Sequence, residues 1–465
     1  MPEFESLYTA DEMRAAEARF PDYPSSAPTL MERAGGVAAR VALQVFHGME
    51  RWTVVCGGGS NGGDGRVIAR HLKDAGRQVR VVDAKAGDSE LGDPQVIVDA
   101  LFGTGFAGEP RPDARALIER INASDASVFA VDVPSGVDAS TGEVAGPAVQ
   151  ADETVTFHGR KLGLVVAPGR FHVGHLHVVD IGLDAAETGA RFAMPALLQV
   201  VPRRRDQDDK YTAGHVLVVG GSRGLTGAPS LTALAAMRAD AGYVTVAAPA
   251  SVLPVLEQRL VEAVKRPLPD RDGLVADGAA EVVLELAARA SAVALGPGLG
   301  RGAGPHALVR RVLEQLELPV VVDADGLHGL VPGEWPGPRV LTPHEGELGR
   351  LLGRDSHEIA AQRLASVEEA ADRFGCVVVL KGPDTLVASP DRRLLVSSLG
   401  LPSLATAGSG DVLTGIVAAF LAKGLEPQLA AVAAAAAQQR ASVEAPQRAG
   451  LVASDLIDAL PRALE

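Results

Sequence analysis

Cysteine is almost missing from this 465-residue chain: there are two, Cys56 and Cys376. Both sit inside apolar runs, Thr53-Val54-Val55-Cys56 and Cys376-Val377-Val378-Val379. Two thiols exclude a disulfide framework and read as reduced, buried side chains. Long apolar runs are also lacking; none approaches the ~18 residues that cross a bilayer. The alanine-rich stretch 429–437 is interrupted by Gln438-Gln439-Arg440, so it reads as a packed helix. The start, Met1-Pro2-Glu3-Phe4-Glu5, lacks the basic flank and apolar core of a signal peptide, so a cytoplasmic protein is expected. Positive charge is in deficit as well, with 44 basic against 58 acidic residues and a net charge of −14. That balance argues against nucleic acid or an anionic membrane as partner, while leaving room for a local phosphate pocket.

What the chain does contain is repetition of strand, glycine-rich turn and helix. Runs rich in Val and Ile at 53–56, 79–83, 96–99 and 128–133 each end in Gly, Asp or Pro, and helical Ala/Leu/Arg stretches follow. This alternation predicts parallel sheets covered by helices on both faces. A charged stretch without apolar periodicity, Val201-Pro202-Arg203-Arg204-Arg205-Asp206-Gln207-Asp208-Asp209-Lys210, marks a linker. After it the alternation restarts at 215–219, 243–247, 292–295, 320–323, 340–342 and 377–380. Two α/β domains are expected, 1–200 and 207–465.

In the first domain, strand 52–56 runs into Gly57-Gly58-Gly59-Ser60-Asn61-Gly62-Gly63-Asp64-Gly65, with a helix expected from about Arg66. Such a turn lets backbone amides approach an anion, although a plain tight connection would use the same residues. No Gly-Lys-Ser/Thr closes it, so it is not a Walker loop. Two further strands end in Asp99, before Ala100-Leu101-Phe102-Gly103-Thr104-Gly105-Phe106, and in Asp132, within Val131-Asp132-Val133-Pro134-Ser135-Gly136. Either Asp alone could simply cap its turn. Three polar, glycine-bearing turns on the carboxyl edge of one sheet point instead to a ligand site.

These three segments resemble the signatures of the NAD(P)H-hydrate epimerases. The resemblance extends to Leu30-Met31-Glu32-Arg33-Ala34-Gly35, to residues 151–157 and to Lys161-Leu162-Gly163, covering about 9–183. It implies a Rossmann-like three-layer domain whose hydrate-binding residues are Ser60, Asn61, Gly62, Gly63 and Asp64, then Gly103, Thr104, Gly105, Phe106, Ala107, Gly108 and Glu109, with Asp132. It further implies K+ held by Asn61, Asp99 and Ser135, with Asp132 as the acid/base that inverts the hydroxyl-bearing ring carbon. Ser60 departs from the family pattern, which has a second Asn there.

In the second domain, Ala407-Gly408-Ser409-Gly410-Asp411-Val412-Leu413-Thr414-Gly415 precedes an apolar helix read at 416–421. Amides of the Gly-Ser-Gly turn would form a hole for phosphoryl oxygens, with Asp411 placed to take a hydroxyl proton. As a tetrapeptide alone it is equally an ordinary turn and cap. Lys381, in Lys381-Gly382-Pro383-Asp384-Thr385, either touches a nucleotide phosphate or is a solvated surface charge. His344, between Thr342-Pro343 and Glu345-Gly346-Glu347, reads as polar surface in preference to a metal ligand.

With Gly227-Ala228 before a helix and Gly296-Pro297-Gly298-Leu299-Gly300, these motifs resemble the ribokinase-like fold, in its ADP- or ATP-dependent NAD(P)H-hydrate dehydratase branch, over roughly 207–463. The resemblance implies hydrate contacts from Ala228, Gly298, His344 and Asp411. Nucleotide contacts would come from Lys381, Gly382, Pro383, Asp384, Thr385 and Gly410. ADP or ATP would be the co-substrate with Mg2+, Asp411 the catalytic base, and the assembly a homo-oligomer. Lys210-Tyr211-Thr212-Ala213-Gly214 departs from the family, which has Gly directly after the Lys. The expected activity is repair of hydrated NADH and NADPH: epimerisation of the R and S hydrates by the first domain, then nucleotide-dependent dehydration of the S hydrate by the second. The alternative is a kinase for a small vitamin alcohol carrying a nucleotide-binding N-terminal module.

Overall fold

A computed structural model describes residues 3–86, 89–391, 393–398, 400–447 and 449–465. The chain forms two compact units. One comprises Ser6–Arg191 with Ala360–Gln362; the other comprises Phe192–Ile359 and Arg363–Glu465 with a short N-terminal segment ending at Glu5. The chain passes from one unit to the other ahead of the charged stretch, because Ala193, Leu197, Leu198 and Val201 are buried in the second unit's core.

In the first unit the strands lie side by side in the order Gln78–Asp83, Arg51–Cys56, Val96–Ala100, Ser127–Val131, Glu153–Phe157, His175–Val179, and all pairs are parallel. The central strands are buried on both faces, which is why they read as continuous apolar runs. Arg51–Cys56 is flanked by the two strands that follow it in sequence, so the winding direction reverses between it and Val96–Ala100. Doubly wound sheets bind ligands outside the carboxyl ends of strands at that reversal.

The helix expected from Arg66 begins six residues earlier, at Ser60, and runs to Asp74. The glycines serve close approach there. A Cβ on Gly62 would lie 1.9 Å from the Gly57 carbonyl oxygen, and one on Gly65 would lie 2.6 Å from Ala100 Cβ.

The second unit repeats the plan. Its sheet runs Val264–Leu268, Tyr243–Pro249, His215–Val219, Ala292–Leu295, Val320–Val322, Arg339–Leu341, Val377–Leu380, all parallel. Thr385–Ala388 and Leu394–Ser397, strands beyond the series read from sequence, then continue it antiparallel. Short connections suffice for that hairpin-like continuation, whereas parallel neighbours need a crossover. The reversal lies between His215–Val219 and Ala292–Leu295.

Two further helices start earlier than expected, at Gly227 and at Ser409. They pack so closely that a Cβ on Gly415 would lie 2.3 Å from the Thr232 carbonyl oxygen. The alanine-rich stretch is the helix Pro427–Glu444, capped by the Glu426 side chain, with Ala430–Ala437 buried throughout. Both cysteines are free and buried. Burial pushes the Cys56 thiol up to about 11 and the Cys376 thiol to about 12, so neither is a thiolate near neutrality. Among the described residues no helix is long and apolar enough to cross a membrane.

Candidate active sites

The first unit holds a cavity of about 1080 Å³ at its strand reversal. Ser60, Asn61, Asp64, Gly103, Thr104, Gly105, Phe106, Ala107, Glu109 and Asp132 line it. Of the expected substrate residues, Gly62, Gly63 and Gly108 do not line it. Gly62 packs against the Gly57 backbone and Gly63 against the Met31 side chain, while Gly108 has the left-handed φ of +77° that shapes its loop.

Asp132 is the fixed point of this cavity. Its backbone is left-handed at φ +69°, a costly conformation for a residue with a Cβ and one found often at functional turns. One carboxylate oxygen, Oδ2, accepts from the Thr104 amide at 3.1 Å. The other, Oδ1, lies 2.8 Å from Lys161 Nζ. Lys161 is fully buried and also donates to Thr156 Oγ1 at 2.9 Å and the Phe157 carbonyl at 2.7 Å.

Two more acids share the cavity. Burial, then the Asp132 charge, pushes Asp64 up to about 8, so it carries a proton at neutral pH. The same two causes raise Glu17 above the usual carboxylate range. Neither Lys161 nor Glu17 was singled out as a site residue from sequence. Lys161 was visible only inside the epimerase-like Lys-Leu-Gly segment, and Glu17 belongs to a helix with no motif.

Behind the cavity wall lies an oxygen-rich cluster. Asp99 is fully buried; its Oδ1 accepts from Ser135 Oγ at 2.7 Å and the Leu101 amide at 3.2 Å, and its Oδ2 accepts from the Ser135 amide at 2.8 Å. Burial pushes its carboxyl up to about 6 even against those hydrogen bonds. Asn61 donates to the carbonyls of Phe102, at 2.6 Å, and Val131, at 3.0 Å. Its Oδ1 is buried without a hydrogen-bond partner in the protein. Asn61 and Ser135 meet at the Phe102 carbonyl, which the Ser135 hydroxyl approaches at 3.4 Å, and Ser135 in turn holds Asp99. The orphaned amide oxygen, the carboxylate and the hydroxyl are all oxygen donors, which fits a monovalent cation.

In the second unit, Gly408 has φ +86° and opens the helix Ser409–Ala422. Gly410 and Asp411 thus occupy its first turn, where amides lack intrahelical acceptors and the helix dipole favours an anion. Asp411 is pushed up to about 7, first by burial and then by the Asp323 charge. Gly298 is left-handed at φ +61°, and a Cβ there would meet Ala228 Cβ at 3.2 Å, so these two positions adjoin.

Lys381 is not a free surface charge. Its Nζ is 2.7 Å from Asp323 Oδ1 and 3.8 Å from Glu347 Oε2. Burial alone would lower its pKa; the surrounding carboxylates raise it instead. Asp323 Oδ2 also accepts from Thr414 Oγ1 at 2.7 Å, which ties the strand end to the Asp411 helix. Sequence reading treated Asp323 only as the end of a strand, although an Asp closing an apolar strand was the same signal that marked Asp99.

His344 does what a polar surface residue would do. It caps the helix Glu345–Leu352, with Nδ1 accepting from the Gly346 amide at 3.0 Å, and Glu347 reaches back to its amide at 2.9 Å. In the 381–385 turn, Gly382 and Pro383 are exposed and Asp384 and Thr385 buried. The Asp384 carboxylate pairs with buried Arg363 at 3.4 Å.

Two families match this chain. The one described as "NAD(P)H-hydrate dehydratase" matches residues 216–462, and "YjeF-related protein N-terminus" matches 27–89 and 82–163. Relatives match over nearly the whole chain. The "Bifunctional NAD(P)H-hydrate repair enzyme Nnr" of Moorella thermoacetica is 38% identical, over 95% of this chain and 93% of the relative. That of Escherichia coli is 33% identical, over 98% and 93%. The chain belongs to the bifunctional NAD(P)H-hydrate repair enzymes.

Solved structures agree for the second unit. The ADP/ATP-dependent NAD(P)H-hydrate dehydratase of Bacillus subtilis, co-crystallised with ATP/Mg2+, is 30% identical with a TM-score of 0.50, covering 57% of this chain and 94% of that one. A ribokinase-like superfamily protein of Enterococcus faecalis is 25% identical with a TM-score of 0.51, covering 60% and 97%. The enzyme is thus an epimerase and a nucleotide-dependent dehydratase on two α/β units, the second ribokinase-like.

Proposed function

We propose that the first unit interconverts the R and S hydrates of NADH and NADPH at Asp132, and that the second dehydrates the S hydrate at Asp411. The observation that supports the first assignment is the buried Asp132–Lys161 pair at the wall of the cavity. A carboxylate held by a buried ammonium can pass a proton to and from the hydrated ring while the ring carbon inverts. Ser60, Asn61 and Asp64, with residues 103–109, would bind the hydrate. Asn61, Asp99 and Ser135 would hold K+, whose charge would favour ionised Asp99.

In the second unit Asp411 takes the proton of the ring hydroxyl as that oxygen attacks the terminal phosphorus of ADP or ATP, whose bridging P–O bond breaks to release AMP or ADP. The phosphorylated hydroxyl then leaves as phosphate, and loss of a ring proton restores the dihydronicotinamide. Splitting the dehydration replaces a poor leaving group with a good one. The Gly408–Asp411 turn cradles phosphoryl oxygens, Lys381 and the 381–385 turn meet the nucleotide, and Ala228, Gly298 and His344 meet the hydrate. Mg2+ would neutralise the nucleotide charge, and Asp323 and Glu347 at this corner are oxygen donors of the kind that ion takes. We further propose a cytoplasmic homo-oligomer.

The test is a repair assay on mixed R and S hydrates, followed by the absorbance of regenerated NADH, with ADP or ATP and with or without potassium. Complete recovery with one nucleotide, slowed in its R-dependent phase when potassium is withheld, is expected. A stable phosphorylated alcohol without recovery would establish a kinase instead.

A further inference from the structure

Two strands of the first unit carry a cluster that the repair chemistry does not use. Glu153 opens the strand Glu153–Phe157, and His175 and His177 lie on the neighbouring strand His175–Val179, the last in that sheet's order. The strands are parallel with Glu153 opposite His175 and Val155 opposite His177. Side chains alternate with a period of two, so His175 and His177 fall on the same sheet face as Glu153. His177 Nε2 is 2.6 Å from Glu153 Oε2, and the two imidazoles meet edge to face at 4.7 Å. The ligating atoms of all three residues lie within 4.8 Å of one another.

We infer that Glu153, His175 and His177 form a binding site for one divalent transition-metal ion, zinc being the best match. Two imidazole nitrogens and one carboxylate oxygen are the donor set this ion takes, with a fourth position left for water or another donor. In a tetrahedron with bonds of about 2.0–2.1 Å the donors sit roughly 3.3 Å apart. Small side-chain rotations bring this trio to that spacing, because the backbone register already places it on one face. Glu153 and His177 are half-buried and His175 is exposed, so an ion can enter from solvent while two ligands stay ordered. Bridging adjacent strands, the ion would pin the outer strand to the sheet. A second histidine pair, His306 Nε2 and His328 Nδ1 at 3.0 Å, has no third donor among the described residues and serves as the internal control.

The experiment is calorimetric titration of the metal-free, full-length protein with zinc, backed by the visible spectrum of the cobalt-loaded protein. One ion per chain with tetrahedral cobalt bands is expected. His175→Ala, at an exposed side chain, and Glu153→Gln should each weaken binding at least about tenfold. His175→Ala with His177→Ala should abolish it, and His306→Ala should leave it unchanged. Failure of the wild-type protein to bind zinc, or binding that survives the double variant, overturns the site and leaves only a hydrogen-bonded pair.

Discussion

Lys161 Nζ stands 2.8 Å from Asp132 Oδ1 with none of its side chain exposed to solvent. Each charge is the other's compensation, and Thr156 Oγ1 and the Phe157 carbonyl take the remaining ammonium protons. Removing one partner of such a pair leaves an uncompensated buried charge, at about 3–5 kcal/mol. Asp132→Asn is expected to abolish epimer exchange and lower stability by that order. Dehydration of pure S hydrate by the same protein should persist. Chiral chromatography of the hydrates and a urea melt read both effects, and epimer exchange at the wild-type rate would remove Asp132 from the chemistry.

Asp411→Asn keeps the shape of the helix start and deletes the proton acceptor. The dehydration rate should fall by about 100- to 10,000-fold, the usual contribution of a positioned base. Nucleotide affinity, which in the proposed site comes mainly from backbone amides and Lys381, should change little. A variant with near-normal turnover would move the base elsewhere.

Asp411 also sets an expected pH profile. Its carboxyl is pushed up to about 7, so below that pH it is protonated and cannot accept a proton. The kcat/KM for dehydration should therefore climb as pH rises through about 7 and level off above, reporting the free enzyme's base. A flat profile between about pH 6 and 8 would show that another group does this work.

Asp64 bears on stability. Its carboxyl is raised from the ordinary value to about 8, so the fold favours its neutral form. The stability tied to that proton is full below the ordinary carboxylate range and is lost as pH rises from there to about 8, because the unfolded chain ionises freely. Asp64→Asn is neutral at every pH. It should match the wild-type stability near pH 4 and exceed it at pH 9, by up to roughly 5 kcal/mol. Thermal melts of both proteins across that range decide it; a constant difference would mean Asp64 is not held neutral.

The glycine-rich turn yields a paired prediction. A Cβ on Gly62 would meet backbone at 1.9 Å, whereas one on Gly59 meets nothing within 4 Å. Gly62→Ala should lower stability by more than the ~1–3 kcal/mol of ordinary overpacking and disturb the Asn61 carbonyl contacts. Gly59→Ala should be tolerated. Equal melting temperatures for the two variants would contradict the packing role.

The α/β class, the strand series and the glycine turn at 408–411 were all legible in the linear chain. Val and Ile runs ending in Gly or Asp report strands buried on both faces, and strand ends are where such sheets bind ligands. The motifs at 57–65, 99–106 and 131–136 pointed to a ligand edge, and the family resemblance they carry named Asn61, Asp99, Asp132 and Ser135 together. Helix starts were not legible, because glycine in a first turn reads as loop until the backbone it packs against is known. Nor were the partners of the charges. Lys161 beside Asp132, and Asp323 between Lys381 and Thr414, are separated in sequence and joined only where strands end on one sheet edge. The order of residues determined which chemical groups this protein carries. Burial and strand order decided which of them hold a proton near neutrality, since desolvation and neighbouring charge exist only in the folded chain.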